Sequence, residues 1–195
     1  SYREKRVILQ DIAYWMMRNG AVVAGIDTVD ERIERKIKSM PNLAPDAKAS
    51  QIRDLLIQRS GLVREPIANY IDFTHRTFQE FLAAEAVLDE EDIGVLAEKA
   101  TDDQWHDTII LAAGLANTVT RENLILTLIS RGDADLSQRH RLHMLAVACL
   151  RTSVELNPEL KEEVQNRLSK LVPPNNFTES TALASAGELA VPFLK

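Results

Sequence analysis

The chain is short of aromatic side chains, cysteine and positive charge, and each shortage narrows what it can be. Lys and Arg number 23 against 29 Asp and Glu, for a formal net charge of −6. A surface that grips nucleic acid or acidic lipid at many points needs clustered positive charge, so neither partner is expected. The single cysteine, Cys149, excludes an internal disulfide. It lies in the apolar run 144–150 and reads as a buried structural thiol. No apolar run approaches the ~18 residues that suggest a membrane span. Aromatic residues make up only 5% of the chain, while Ala and Leu are abundant, a balance that favours helix. What is present suffices for a core: 45% of the 195 residues are hydrophobic, enough for one large domain or two small ones.

Catalytic and metal signatures are missing as well. Residues 20–25, Gly-Ala-Val-Val-Ala-Gly, have the first half of a phosphate-loop spacing, but Ile26 and Asp27 stand where Lys and Ser or Thr are required. Without the lysine no charge meets the β- and γ-phosphates, and without the hydroxyl nothing meets magnesium. The segment reads instead as a short loop or strand linking two helices. His140 and His143, set among Arg139 and Arg141, are two ligands where zinc takes three or four; they read as a wet basic helix face. Carboxylates are plentiful, but none comes with a positioned nucleophile or a metal-ligand spacing. No catalytic residue and no metal ligand is expected, and the chain by itself is expected not to be an enzyme.

Helix punctuation orders the first half. Val7, Ile8, Ile12, Trp15 and Met16 form an apolar stripe over 3–18, ended by Asn19-Gly20. A second helix is expected from Asp27 or Thr28 to 39, on Val29, Ile33 and Ile37. Pro41 and Pro45 bracket a loop. A third helix is expected over 46–60 with Ile52, Leu55, Leu56 and Ile57 inward, stopped by Gly61 in the left-handed region. Residues 62–65 and 69–73 then pair as a hairpin around Pro66-Ile67-Ala68. Three helices followed by a hairpin is the order of a winged helix.

Beyond Asp89-Glu90-Glu91-Asp92, read as a solvated acidic helix start, only helices are expected, over 92–99, 103–117, 121–131, 137–155, 158–171 and 178–193. Gly132 is expected to close one of them. Asn157-Pro158 supplies a cap and a first-turn proline, and Pro-Pro-Asn-Asn at 173–176 breaks the chain. Trp105 is expected to pack against a neighbouring unit. The helix starts fall roughly 17–20 residues apart, so two-helix units recur at about 35–40, the range of HEAT-like arrays. The expected fold is mainly α: a winged-helix domain over 1–88 and a HEAT-like helical domain over 89–195.

Residues 70–87 organise the rest. Ile71 and Phe73 share one strand face, and Tyr70 and Asp72 the other. Thr77 and Glu80 have capping-box spacing. Phe78, Phe81 and Leu82 then follow the helical period as core positions. His75 and Arg76 fall in the turn ahead of a helix N-terminus, where free N–H groups and the positive dipole end suit an anion.

The pattern Phe-x-His-Arg-Thr-Phe-Gln-Glu-Phe-Leu-Ala-Ala, from Phe73 to Ala84, resembles the segment that ends the winged-helix domain of NACHT-type STAND NTPases. That group includes animal NOD-like receptors and many bacterial defence proteins. The resemblance covers residues 5–90 or so and is only general in character beyond. It implies that His75 contacts the β-phosphate of bound ADP and helps hold the molecule closed, with Arg76 a weaker candidate for the same anion or a surface ion pair. Thr77 and Glu80 would be structural caps.

In that family a separate upstream domain carries the P-loop, the magnesium ligands and ATP hydrolysis. The resemblance therefore implies a regulatory and scaffold segment with no cofactor of its own, ADP or ATP-magnesium belonging to the parent protein. Its implied partners are the upstream nucleotide-binding domain of the same chain and a protein trigger or oligomer partner, in the cytoplasm. The chain opens at Ser1 without a methionine and is expected to be an excerpt of that parent.

Two other readings stay open. A winged-helix DNA-binding regulator with a helical effector domain would read DNA through the third helix. There Lys48, Arg53 and Arg59 are offset by Asp46 and Asp54, thin for phosphate contacts, and Arg64 on the wing is offset by Glu65. A plain helical-repeat interaction module would have no nucleotide link at all.

Overall fold

The computed structural model describes residues 1–42, 46–171, 180, 181, 183 and 184. Pro45, the breaker at 173–176 and most of the helix expected over 178–193 lie outside the described residues. The chain is mainly helical with one small antiparallel sheet, and it divides into two compact units, Ser1–Asp89 and Glu90–Lys195.

In the first unit, α1 (Tyr2–Arg18) buries two rows, Ile8-Ile12-Met16 and Leu9-Ala13-Met17, because residues four apart stack on one helix face. It ends in a Schellman turn. The Ala21 N–H donates to the Met16 carbonyl at 2.8 Å and the Gly20 N–H to that of Met17 at 3.2 Å. Gly20 sits at φ 60°, which glycine adopts without a Cβ clash. Residues 20–25 then form no phosphate loop. They lead into β1 (Ala24–Gly25) and directly to α2 (Ile26–Lys38), with Val29 and Ile33 buried. The third helix, α3 (Ala49–Arg59), starts later than residue 46 because Lys48 is still extended, at φ −98° and ψ 139°. Gly61, at φ +67°, stops it as expected.

The hairpin consists of β2 (Val63–Ile67) and β3 (Tyr70–Phe73) and turns through Asn69 at φ 69°. β2 runs past residue 65 and takes in Pro66, which cannot donate to a ladder. This is tolerated because the strand order is β1-β3-β2, so β2 is an edge, and the register shifts between Arg64 and Ile67. Ile71 and Phe73 are buried while Tyr70 is exposed, the alternation the sequence predicts.

The last element of this unit is α4 (Arg76–Asp89). It packs on α1 through small residues: Ala83, Ala84, Ala86 and Val87 are buried. Polar pairs fasten the contact. Arg6 Nε donates to Glu85 Oε2 at 3.0 Å, and Gln10 Nε2 donates to Glu85 and to Asp89, each at 3.2 Å. Because the alanine face takes α1, the phenyl rings expected in the core turn aside. Phe78 is 38% exposed and Phe81 is half-buried; both line a cavity.

The second unit contains α5 (Ile93–Glu98), two single 3-10 turns (Lys99–Thr101 and Asp103–Trp105), α6 (His106–Leu115), α7 (Thr118–Ala134), α8 (Arg139–Thr152) and α9 (Pro158–Lys170). Trp105, Ile109, Leu124, Ile125, Leu128, Leu142 and Leu145 are fully buried. Cys149 is buried too, and burial pushes its thiol up to about 12, the inert behaviour of a structural cysteine. Asn157 caps α9, accepting from the Glu159 N–H at 2.8 Å, with Pro158 in the first turn.

Three readings of this unit need correcting. Gly132 does not close α7, which continues to Ala134. It is glycine because α8 crosses there: a Cβ on Gly132 would lie 2.6 Å from Cδ2 and 2.7 Å from Nε2 of His143. His143 is accordingly no part of a wet basic face but is 3% exposed, with His140 half-buried beside it. Arg121 does not start a helix: α7 begins at Thr118, capped by Asn117. It is buried, and its guanidinium donates to the carbonyls of Ala113 (2.7 Å), Gly114 (3.3 Å), Ala116 (2.6 Å) and Glu155 (2.9 Å). The first three belong to the C-terminal end of α6, where carbonyls have no partner within the helix.

Candidate functional site

The β3–α4 bend is fixed from behind by Thr74. Its N–H donates to the Leu62 carbonyl at 2.9 Å, and its hydroxyl donates to the Gly61 carbonyl at 2.9 Å. The bend is thereby tied to the turn between α3 and β2. His75 comes next and is exposed. Its carbonyl accepts from the Phe78 N–H at 3.1 Å as α4 opens. The His75 ring meets the Phe78 ring edge to face, with centroids 5.5 Å apart and planes at 68°. The first N–H groups of α4 lack partners within the helix, and the positive end of its dipole lies at this bend. An imidazole N–H presented there can donate to an anion.

The other predicted site residues behave differently. Arg76 opens α4, and its Nε donates to Glu80 Oε1 at 2.9 Å while Nη2 lies 3.9 Å from the Met17 sulfur. Its guanidinium therefore takes the ion-pair role. The capping box of Thr77 and Glu80 does not form. Thr77 lies inside α4 rather than ahead of it, and the Glu80 carboxylate accepts from Arg76, four residues earlier and on the same helix face. Sequence reasoning missed Thr74, whose only signal is a hydroxyl residue between the last strand position and the histidine.

Of the four basic residues considered for DNA, two are engaged, Arg53 and Arg64. Arg53 pairs with Asp30 on α2 and reaches Asp54 at 3.1 Å. Arg64 binds Asp72, its partner in register, at 2.9 and 3.2 Å.

A second polar cluster lies in the other unit. His143 Nε2 is 3.1 Å from Asp133 Oδ1 but out of line for a hydrogen bond. Arg167 holds Asp133 Oδ2 at 2.7 and 3.2 Å. Burial holds the His143 imidazole below its ordinary value, with Asp133 and the Ile129 carbonyl opposing. The Arg167 hydrogen bond holds the Asp133 carboxyl below the usual range. Among the described residues no group of three or more His, Cys, Asp or Glu is placed to hold a metal. No described helix is long and apolar enough to cross a membrane.

Compared with protein-family models, with curated proteins and with solved structures, the chain finds no match.

Proposed function

We propose that the chain is a non-catalytic regulatory and scaffold segment of a NACHT-like signalling NTPase. In this reading Ser1–Asp89 is a winged-helix domain and Glu90–Lys195 the start of a HEAT-like array. The order helix, strand, two helices, hairpin, with β1 added beside β3, supports the first assignment. The observation that carries the functional reading is the exposed His75 imidazole at the N-terminus of α4, on a bend held by Thr74.

His75 would donate to the β-phosphate of ADP brought by the nucleotide-binding domain of the parent protein. Exchange for ATP would release this clamp and free the surfaces that oligomerise. The clamp shifts the equilibrium only by the difference between its contacts with the two nucleotide states. A hydrogen bond to a charged group contributes about 1.5–3 kcal/mol, so its loss corresponds to roughly 10- to 100-fold in binding.

The test is His75→Ala in the parent protein with its nucleotide-binding domain. Faster ADP release and higher basal signalling support the clamp; unchanged release rejects it and favours a plain helical module. The ion pairs of Arg53 and Arg64 weigh against the DNA reading. Tight gel-shift binding that weakens steeply with salt would reverse that judgement.

A further inference from the structure

A cavity of about 670 Å3 opens in the first unit between α1, the turn from α3 to β2, and α4. Its walls are apolar, with Leu9, Leu62, Phe78 and Phe81 among them. Lys5 and Arg59 also line it, and none of its lining residues is acidic. Some described cations of the unit are neutralised, while others, Arg3 and Lys48 among them, are not. Arg32, Arg53, Arg64 and Arg76 each meet a carboxylate. Arg6, the third cation of the lining, is paired with Glu85. Among the described residues, Lys5 and Arg59 have no carboxylate partner. Two unneutralised cations over an apolar hollow run against the net charge of −6.

We propose that this cavity binds an amphiphilic carboxylate. The volume lies within the range of about 300–1,000 Å3 typical of small-molecule sites, which pair apolar walls with a few polar groups that orient the ligand. A hydrocarbon chain would lie among Leu9, Leu62, Phe78 and Phe81, and the carboxylate would meet Lys5 and the Arg59 fork, whose geometry suits two oxygens. A cationic or neutral head group would leave both charges unmatched. The proposal stands apart from the nucleotide clamp: it needs neither His75 nor a second domain.

The experiment is a calorimetric titration of the whole chain, without nucleotide, with dodecanoate below its micelle concentration and with dodecyltrimethylammonium as the oppositely charged control. The expected result is saturable one-to-one binding of dodecanoate, at least about tenfold tighter than the cation, a difference of about 1.4 kcal/mol. The Lys5→Gln/Arg59→Gln double variant should weaken it by a similar factor. Lys5 is half-buried and Arg59 exposed, and an unchanged denaturation midpoint establishes that the variant is folded. Leu62→Trp, which fills the hollow, should abolish binding while Val22→Trp, at an exposed site elsewhere, should not. Absence of saturable dodecanoate binding, equal binding of the two head groups, or undiminished binding in the double variant would each overturn the proposal.

Discussion

The His75 and Phe78 rings meet edge to face, 5.5 Å between centroids and 68° between planes. Phe78 thus supports a solvent-facing imidazole instead of filling the core. Phe78→Ala is expected to lower stability by about 1 kcal/mol, the size of an aromatic pair contact plus a partly buried ring. A true core phenylalanine would cost about 3–5 kcal/mol. Urea denaturation separates the two. The His75 ring resonances should also move in the variant, because the imidazole loses its neighbour.

Gly132 makes room for His143. In an ordinary helix interior, Gly→Ala stabilises by about 1 kcal/mol. Here the added methyl would lie 2.6 Å from the imidazole, and overpacking costs about 1–3 kcal/mol. Gly132→Ala should therefore destabilise the wild-type chain. In a His143→Ala background the same change should be neutral or stabilising, and a double-mutant cycle measures the coupling. Stabilisation by Gly132→Ala alone would mean the ring moves aside freely.

His143 also sets a pH dependence. Its folded-state value lies below the ordinary 6.5, with burial as the largest cause. The folded state therefore favours the neutral ring, and protonation favours unfolding. This contribution is fully present above about pH 6.5 and is lost as pH falls through that value toward the lowered one. Charges facing the ring act in both directions: Asp133 favours the protonated form and tempers the effect, while Arg167 and Arg139 disfavour it and reinforce the effect. Asp133 contributes in the same sense but in a separate, more acidic window, below its ordinary 3.8. Denaturation midpoints measured between pH 7 and 5 should fall in the wild type and flatten in His143→Gln. An equal slope in both would assign the titration elsewhere.

Arg121 closes the end of α6 and reaches the Glu155 carbonyl with one guanidinium. Replacing it with Ala leaves several carbonyls without partners, each charge-assisted bond contributing about 1.5–3 kcal/mol. The expected loss is on the order of 3 kcal/mol by chemical denaturation. Arg121→Lys should recover little of it, since one ammonium lacks the planar fork. Full recovery by lysine would show that charge alone matters.

How much of this was legible depended on whether a feature is local. The stop of α1 at Asn19-Gly20, the cap at Asn157-Pro158 and the inward pair Ile71 and Phe73 depend on neighbouring residues, so spacing reveals them. The burial of Cys149 is legible from its apolar run. Phe78 and Phe81 were not, because which face of α4 meets α1 is settled by Gln10, Arg6 and the alanines across the interface. Gly132 reads as a stop signal until α8 is placed across it. The capping box at Thr77 failed against an ion pair at equal local range, Arg76 with Glu80. At the bend, the exposure of His75 follows from the turn position, whereas the anchoring of Thr74 to Gly61 links residues thirteen apart and leaves no local trace.

The central claim is that His75 distinguishes two nucleotide states, and one pair of rates tests it. In the proposed parent protein, which would carry a nucleotide-binding domain, ADP and ATP release should be followed by stopped flow for wild type and His75→Ala. The account predicts that ADP release accelerates by roughly tenfold or more, the equivalent of one charge-assisted hydrogen bond, while ATP release is unchanged. Equal ADP release from the two proteins, or equal acceleration of both nucleotides, would contradict it.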